Sequence, residues 1–490
     1  MLRLQNQLEK DVLRSVLFIV GVVAACRLTH DLALAVLVFL MCKWVLSNNR
    51  WKTSAWLLVY PLFLVVNFAL FPRTGWFNLI FRIGYLVLAG TLLIAPKGRG
   101  RRHALPLGLL FMYLLCALVS SIGGYCFPVS LLKLVSFASF LICVRFGFSG
   151  FDQDVKGLYR LRCMVLALCV VIIYGSILTL LSPGIAYPQN VEQLVTWGRM
   201  TVEEARATLA AGLPSTAQSY LAGVTYHSNA LAPFLSCCVG LVLCDMLFIV
   251  RKVARLHASL LILSLPLMMM TRSRGALVCF VAAVSLVLFY GTSAIPTPLR
   301  IKAKAKGIIM AFLGVAFCAA LYLQVTDQGM SKWLRKTQNV EQDARSLGEA
   351  MTATRMGLVE ENMADFYQNP FLGMGFQTIA LHRYLYAQGQ LSIFSAPIEK
   401  GVLPTMVLGE SGLLGGFVFF AWLVSFGLTC MRRRYACTLC LTGVLMCTNM
   451  SEASFFSVGS IGGSLWMLTI VGGFVLDLTI LARRQLEFRN

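Results

Sequence analysis

Apolar residues along the chain lie in long blocks rather than scattered. The first four blocks span 12–28, 32–46, 54–71 and 77–95. Ten more follow at 104–120, 127–144, 164–181, 229–250, 258–270, 275–290, 307–323, 403–430, 437–448 and 461–481. Most come close to the roughly 20 residues a helix needs to cross about 30 Å of hydrocarbon. Inside lipid the backbone must satisfy its own N–H and C=O groups, so each block predicts a helix. The expected fold class is an all-α polytopic membrane protein with about 12–14 transmembrane helices, the shorter blocks merging or re-entering. No fixed-period repeat or low-complexity segment stands out.

Composition agrees with this pattern. Charged residues make up 13% of the chain and hydrophobic ones 58%, whereas a soluble protein carries about a quarter charged. The net charge of +21 would suggest nucleic acid if it were clustered on one surface. Instead the basic residues gather at 50–52, 97–103, 156–162, 251–255, 300–306, 432–434 and 483–484, after every second apolar block. That spacing follows the positive-inside rule and predicts both termini in the cytoplasm, with contact to anionic lipid and no nucleic-acid partner.

The opposite face then receives two long loops, 182–226 and 326–402, the second nearly balanced in sign. The expected organisation is residues 1–225 as N-terminal transmembrane helices with the first long outer loop, and 226–325 as core helices. A large helical extracytoplasmic loop follows at 326–402, and C-terminal helices at 403–490. Arg3 and Lys10 precede an apolar run ending Val23-Ala24-Ala25-Cys26, which resembles a signal peptide or lipoprotein cleavage site. An uncleaved first span is expected, and the remaining topology is the same either way. Of the sixteen cysteines, neither long loop contains one. Cys437 and Cys440 form a CxxC inside a span with no second pair and no nearby histidine, so no metal and no other cofactor is expected.

Polar residues at the edge of an apolar block are the informative ones, because lipid penalises them. Four clusters qualify. Thr271-Arg272-Ser273-Arg274-Gly275 sits in a tight outer hairpin, where two guanidiniums suit pyrophosphate oxygens; snorkelling to lipid phosphates is the plain alternative. Tyr226-His227-Ser228-Asn229 opens the earlier span that ends at Val250, with more polar groups than a helix cap requires. In the large loop, 347–367 predicts an amphipathic helix carrying Arg355, Glu360, Glu361 and Asp365. It ends at Asn369-Pro370, and Gly373 and Gly375 then permit a tight turn that a ligand can approach. Last come Glu399, Lys400 and Gly401 where the loop re-enters the membrane, with Glu410 about two turns further on; a partner such as Arg272 or Arg274 would relieve its burial.

In this order the stretches His227-Ser228-Asn229-Ala230-Leu231-Ala232, Thr271-Arg272-Ser273-Arg274-Gly275-Ala276, Asn369-Pro370-Phe371-Leu372-Gly373-Met374-Gly375-Phe376 and Leu408-Gly409-Glu410-Ser411-Gly412-Leu413-Leu414-Gly415 resemble the O-antigen ligase and polymerase superfamily of bacterial envelope glycosyltransferases. The match covers roughly 226–420. The resemblance implies transfer of a glycan from undecaprenyl pyrophosphate to an acceptor hydroxyl at the outer face of the inner membrane, inverting and without a metal. The acceptor is lipid A–core in ligases, another lipid-linked glycan in polymerases, and protein in some relatives. Arg272 and Arg274 would hold the pyrophosphate, with Arg355 reaching in from the loop and His227, Asn229, Lys400, Gly373 and Gly375 in support. Ligases of the family carry a histidine just before the last Glu-x-Gly motif. Here that region reads Glu399-Lys400-Gly401 and the nearest histidine is His382, so the general base stays open among Glu399, His382 and Glu410, and a polymerase is slightly favoured. The rival class is a multi-pass transporter or lipid-linked glycan flippase, which would place its polar site near the midplane.

Overall fold

The structure, a computed structural model, describes residues 2–29, 31–47, 49–66, 77–95, 105–149, 154–182, 221–225, 228–250, 254–271, 273–291, 347–389, 401–450, 453–459 and 461–487. In chain order its α-helices are α1 Leu2–Thr29, α2 Asp31–Leu46, α3 Arg50–Val59, α4 Phe77–Ile94, α5 Gly108–Ile122, α6 Phe127–Gly147, α7 Val155–Thr179, α8 Ser228–Cys244, α9 Arg255–Thr271 and α10 Arg274–Ser285. After these come α11 Leu347–Gln368, α12 Ala380–Ala387, α13 Leu403–Arg433, α14 Ala436–Asn449, α15 Ile461–Trp466 and α16 Gly472–Glu487. Wider π turns extend α8 through Asp245–Val250, extend α10 through Leu286–Gly291, and join α15 to α16 through Met467–Val471.

The protein is an all-α polytopic membrane protein. Among the described residues six helices are long and apolar enough to cross a membrane, and six shorter apolar helices of 10–17 residues accompany them. The stretches Ala230–Val250 and Ile461–Gln485 run through the centre, almost wholly enclosed, whereas Gln7–Thr29 lies at the periphery. Outer faces carry large exposed apolar side chains, such as Leu115 and Val119 on α5 and Phe417 and Val424 on α13. A face of that kind needs lipid rather than water beside it. The apolar block 54–71 is not one straight helix. Pro61 lacks the N–H that would continue α3, and the chain tightens into a 3-10 turn over Tyr60–Leu64. The block 307–323 lies outside the described residues.

Contacts sort the helix ends into two sets. At one end, which carries the basic clusters, Arg145 donates to Leu105 O at 3.1 Å, Tyr159 to Asp11 at 3.0 Å and Arg483 to Ile249 O at 2.6 Å. At the other, the loop end, Leu221 N donates to Met270 O at 3.1 Å and Ala453 N to Gly401 O at 2.7 Å.

The loop end holds a re-entrant segment between α14 and α15. Asn449 stops α14 by accepting Ser454 N at 2.8 Å and Phe455 N at 2.6 Å on one oxygen, while its amide nitrogen donates to Leu445 O at 2.8 Å. This turns Phe455 and Phe456 inward, where they pack with Phe137, Phe419, Trp422 and Trp466. Trp466 Nε1 in turn donates to Phe455 O at 2.9 Å. Asn449→Ala leaves two buried backbone N–H groups without an acceptor, so it is expected to lower stability by about 2–3 kcal/mol, read as thermal unfolding of the purified protein in detergent.

Candidate functional site

The third and fourth polar clusters of the sequence meet at the loop end. The reason is a break in α13. Gly412 has φ 60° and ψ −161°, so the helix cannot continue its hydrogen-bond ladder through it. In an unbroken helix Leu413 N would bond Gly409 O, and Leu414 N would bond Glu410 O. Here Leu413 N donates to Pro370 O at 2.8 Å and Leu414 N to Phe371 O at 3.2 Å. The two carbonyls left over accept from the same loop, Met374 N to Gly409 O at 2.9 Å and Gly375 N to Glu410 O at 3.0 Å. Residues 370–375 are thus spliced into the helix, and every group the break frees is satisfied, as buried backbone requires.

The loop is shaped for this contact. Gly373 has φ +72°, and a side chain there would meet Glu410 C at 2.5 Å and Ser411 N at 2.6 Å. The close approach that Gly373 permits is therefore to the protein's own helix, whereas Gly375 lies against Gly124 in the turn between α5 and α6. Asn369 starts the turn, accepting Gly373 N at 2.7 Å on its carbonyl and Leu372 N at 3.3 Å on its side chain. The turn between α5 and α6 closes the other side. Tyr125 N donates to Met374 O at 3.0 Å, Phe376 N donates to Ser121 Oγ at 3.1 Å, and Ser120 Oγ donates to Glu410 O. The Phe376 ring enters the aromatic cluster beside Tyr113 and Phe456.

Helix α11 forms where the sequence predicts it and packs its C-terminal half on α13. Among the described side chains of α11 the buried one is the polar Asn362, bonded to Thr405 at 3.4 Å, while Met356 and Tyr367 are exposed. Asp365 accepts the Tyr125 hydroxyl at 2.6 Å. Burial, with the Asp365 carboxylate beside it, pushes the Tyr125 phenol above its ordinary range, so Tyr125 stays a neutral donor.

Of the expected catalytic carboxylates, Glu410 is fully buried beneath Gly373 with the Tyr113 phenol nearby. It therefore lies on the α5 side of α13, whereas α10, which begins at Arg274, packs on α8 and α14. His382 is buried too; its Nδ1 accepts Ile379 N at 3.4 Å and so helps to start α12. Arg274 begins α10, Asn229 lies in the first turn of α8 and Arg355 lies in α11. The structure fixes the backbone of these three. Arg272, His227, Glu399 and Lys400 lie outside the described residues. Glu399 and Lys400 run directly into Gly401, which is packed against Leu358 of α11.

A buried ionic cluster at the basic end lies outside the four polar clusters of the sequence. Asp245, where α8 widens into its π turn, takes a two-pronged contact from Arg162 of α7, with Nε at 2.6 Å and Nη2 at 2.9 Å. His257 Nε2 of α9 lies 2.7 Å from the same carboxylate. The signal was present, because an aspartate inside an apolar block calls for a buried partner. The chain matches no protein-family model and no curated protein closely enough to carry an argument.

Proposed function

We propose that the protein transfers a glycan from a polyprenyl pyrophosphate donor to an acceptor hydroxyl at the outer face of the bacterial inner membrane, as the O-antigen ligase and polymerase superfamily does. The observation that supports this most is the splice of residues 370–375 into α13 at Gly412. It joins two of the four stretches that carry the resemblance into one rigid unit at the loop end. By the distribution of basic residues the loop end is extracytoplasmic and both termini are cytoplasmic.

In this reading the acceptor oxygen attacks the anomeric carbon and displaces the polyprenyl pyrophosphate with inversion. The C–O bond to phosphate breaks with its electron pair, and the acceptor proton passes to a general base. Negative charge grows on the leaving pyrophosphate, where Arg272 and Arg274 stabilise it and Arg355 joins from α11. Glu399 is the base we favour, since in the sequence it stands two residues before Gly401, whereas Glu410 and His382 are both buried. A polymerase is favoured over a lipid A–core ligase because Glu399-Lys400-Gly401 stands where the ligases carry histidine.

The break at Gly412 also has a counterpart in transporters, whose discontinuous helices turn freed backbone groups toward a substrate or ion. Here those groups are bonded to 370–375, which favours a positioning role over a transport site.

The test offers purified protein in nanodiscs a pyrophosphate-linked polyprenyl oligosaccharide, either alone or with lipid A–core, and follows glycan size on a gel. A ladder from donor alone is the expected result. Arg272→Ala and Arg274→Ala should each slow it by about a hundredfold, the usual loss for one donor to a developing oxyanion. Product only with lipid A–core would make the protein a ligase. Absence of transfer to either acceptor, with donor instead moved across a sealed bilayer, would replace the reading by transport.

A further inference from the structure

The exposed side chains of α13 form one stripe. Leu414, Phe417, Phe420, Val424, Leu428 and Met431 follow one another three or four residues apart and all face outward. Such an apolar face needs lipid beside it. Its edge at the basic end is fixed by Arg432, Arg433 and Arg434, which belong with the headgroups. From Leu413 to Met431 the helix rises about 27 Å, whereas the hydrocarbon to be crossed is about 30 Å thick. Any tilt shortens the rise along the membrane normal and widens that shortfall. The stripe alone therefore stops short of the headgroups at the loop end.

Beyond Gly412 it has no continuation on α13 itself, because no residue from Leu403 to Gly412 is exposed. The splice takes its place. Leu413 N and Leu414 N are bonded to Pro370 O and Phe371 O, so Phe371 stands at the loop-end limit of the stripe. Phe371 is 72% exposed, and Leu372 next to it is exposed as well. Tyr367, about one turn earlier at the end of α11, is also 72% exposed.

Two observations set this patch apart from a loop in water. The first is that its polar groups are turned inward. Asp365, the carboxylate of the last turn of α11, accepts the Tyr125 hydroxyl at 2.6 Å on the α5–α6 side. The N–H groups of Leu372, Gly373, Met374 and Gly375 all have acceptors within the protein, and Pro370 has no N–H. Irregular backbone at membrane depth requires that satisfaction, whereas water would supply it to an open loop. The second is a gradient along α11. Its exposed residues change from Glu360 and Glu361 to Tyr367 over about two turns. Polarity thus divides along the helix axis, as in a helix whose end enters the membrane surface, and tyrosine is a residue favoured at that boundary.

We propose that Tyr367, Phe371 and Leu372 lie in the bilayer against lipid acyl chains, so that the splice is part of the membrane surface and not of an aqueous loop. The Tyr367 hydroxyl reaches the headgroup layer, and the acidic part of α11 stands in water. Continuity with the lipid face of α13 singles out lipid, over a second copy of the chain, as the occupant of this surface. The inference does not rest on glycan transfer.

The test uses the full-length protein in phosphatidylcholine nanodiscs, with Phe371 replaced by the photoreactive p-benzoylphenylalanine. Irradiation bonds the benzophenone to a neighbouring C–H group, and intact-protein mass spectrometry reads whether the partner is lipid. Phe417 carries the same replacement as the lipid-facing reference, and Glu360 as the water-facing one. Lipid adduct at Phe371 should match that at Phe417 and exceed that at Glu360 by about tenfold or more, the preference of a large apolar ring for hydrocarbon over water. The splice uses the Phe371 carbonyl and leaves the ring exposed, so the replacement should be tolerated. Should the Phe371 protein fail to fold, Tyr367 takes the replacement and the same comparison decides. Lipid adduct no greater than at Glu360 overturns the proposal. A crosslinked dimer in place of the lipid adduct also overturns it, and would make the patch an interface between two copies.

Discussion

Gly412→Ala is expected to destabilise the protein by about 4 kcal/mol, combining backbone strain, steric conflict and lost hydrogen bonds. The φ and ψ of Gly412, 60° and −161°, fall in a region that only glycine occupies readily. Strain is the smaller part of the effect. A Cβ at this position would lie 2.4 Å from both the carbonyl carbon and the oxygen of Phe371. These are backbone atoms, so no flexible side chain can swing aside. Relief requires the 370–375 segment to withdraw, which breaks the bonds from Leu413 N to Pro370 O and from Leu414 N to Phe371 O. The variant should melt well below wild type in detergent and be cut by protease near 368–377. The control is Gly357→Ala in α11, where a Cβ meets nothing within 4 Å. A helix glycine with open space around it should be neutral or gain about 0.5–1 kcal/mol on substitution. If Gly412→Ala melted with the control, the break in α13 would not be what holds the loop.

The same site shows what the sequence made legible and what it did not. Asn369 to Phe376 and Leu408 to Gly415 both stand out as polar and glycine-rich interruptions near an apolar block. Their pairing is invisible, because it is made of backbone groups, and a backbone hydrogen bond leaves no side-chain signature. Gly412 could have been read as a simple helix glycine. Its positive φ and its contact with Phe371 exist only once α13 and the loop are in place. Conversely, the charge of Glu410 is what stands out in the sequence, while the fold uses its carbonyl in the splice. The membrane-spanning blocks were legible because lipid imposes one answer on any apolar run of sufficient length. Pro61 was a readable breaker within 54–71, and the block pattern overrode it. Asn449 was not readable at all. Its role depends on a chain reversal five and six residues later, which apolar patterning does not encode.

Splice and aromatic cluster also explain how a mostly lipid-exposed helix can carry a positioned loop. The outward face of α13 is apolar and offers no specific grip. Its inward face presents Phe419 and Trp422 to Phe455, Phe456 and Trp466. Phe376 extends the same cluster from the loop side. Burial of large rings fixes where the loop leaves the bundle, and the four backbone bonds at Gly412 fix its register. Helix α11 is thereby held at the loop end by contacts made within the protein itself.

At the opposite end, Asp245→Ala is expected to cost about 3–5 kcal/mol, the range for breaking a buried ion pair from one side. Asp245 is fully buried, and Arg162 is nearly so. The two-pronged contact at 2.6 Å and 2.9 Å neutralises the guanidinium between α7 and the end of α8. Without the carboxylate the guanidinium is an uncompensated charge in a low-dielectric interior, and His257 Nε2 loses its 2.7 Å partner as well. Arg162→Met should be comparably damaging, because it leaves the aspartate buried with only His257. The double variant Asp245→Ala with Arg162→Met removes both charges, so it should be less damaging than the sum of the single changes by about 2 kcal/mol or more. Denaturant unfolding of the four proteins in the same detergent measures that coupling. Additive losses would mean that Arg162 reaches solvent at the basic end and that the pair does not bind α7 to α8. A double loss well below that sum would identify the cluster as the pin that closes this end of the bundle while the splice at Gly412 closes the other.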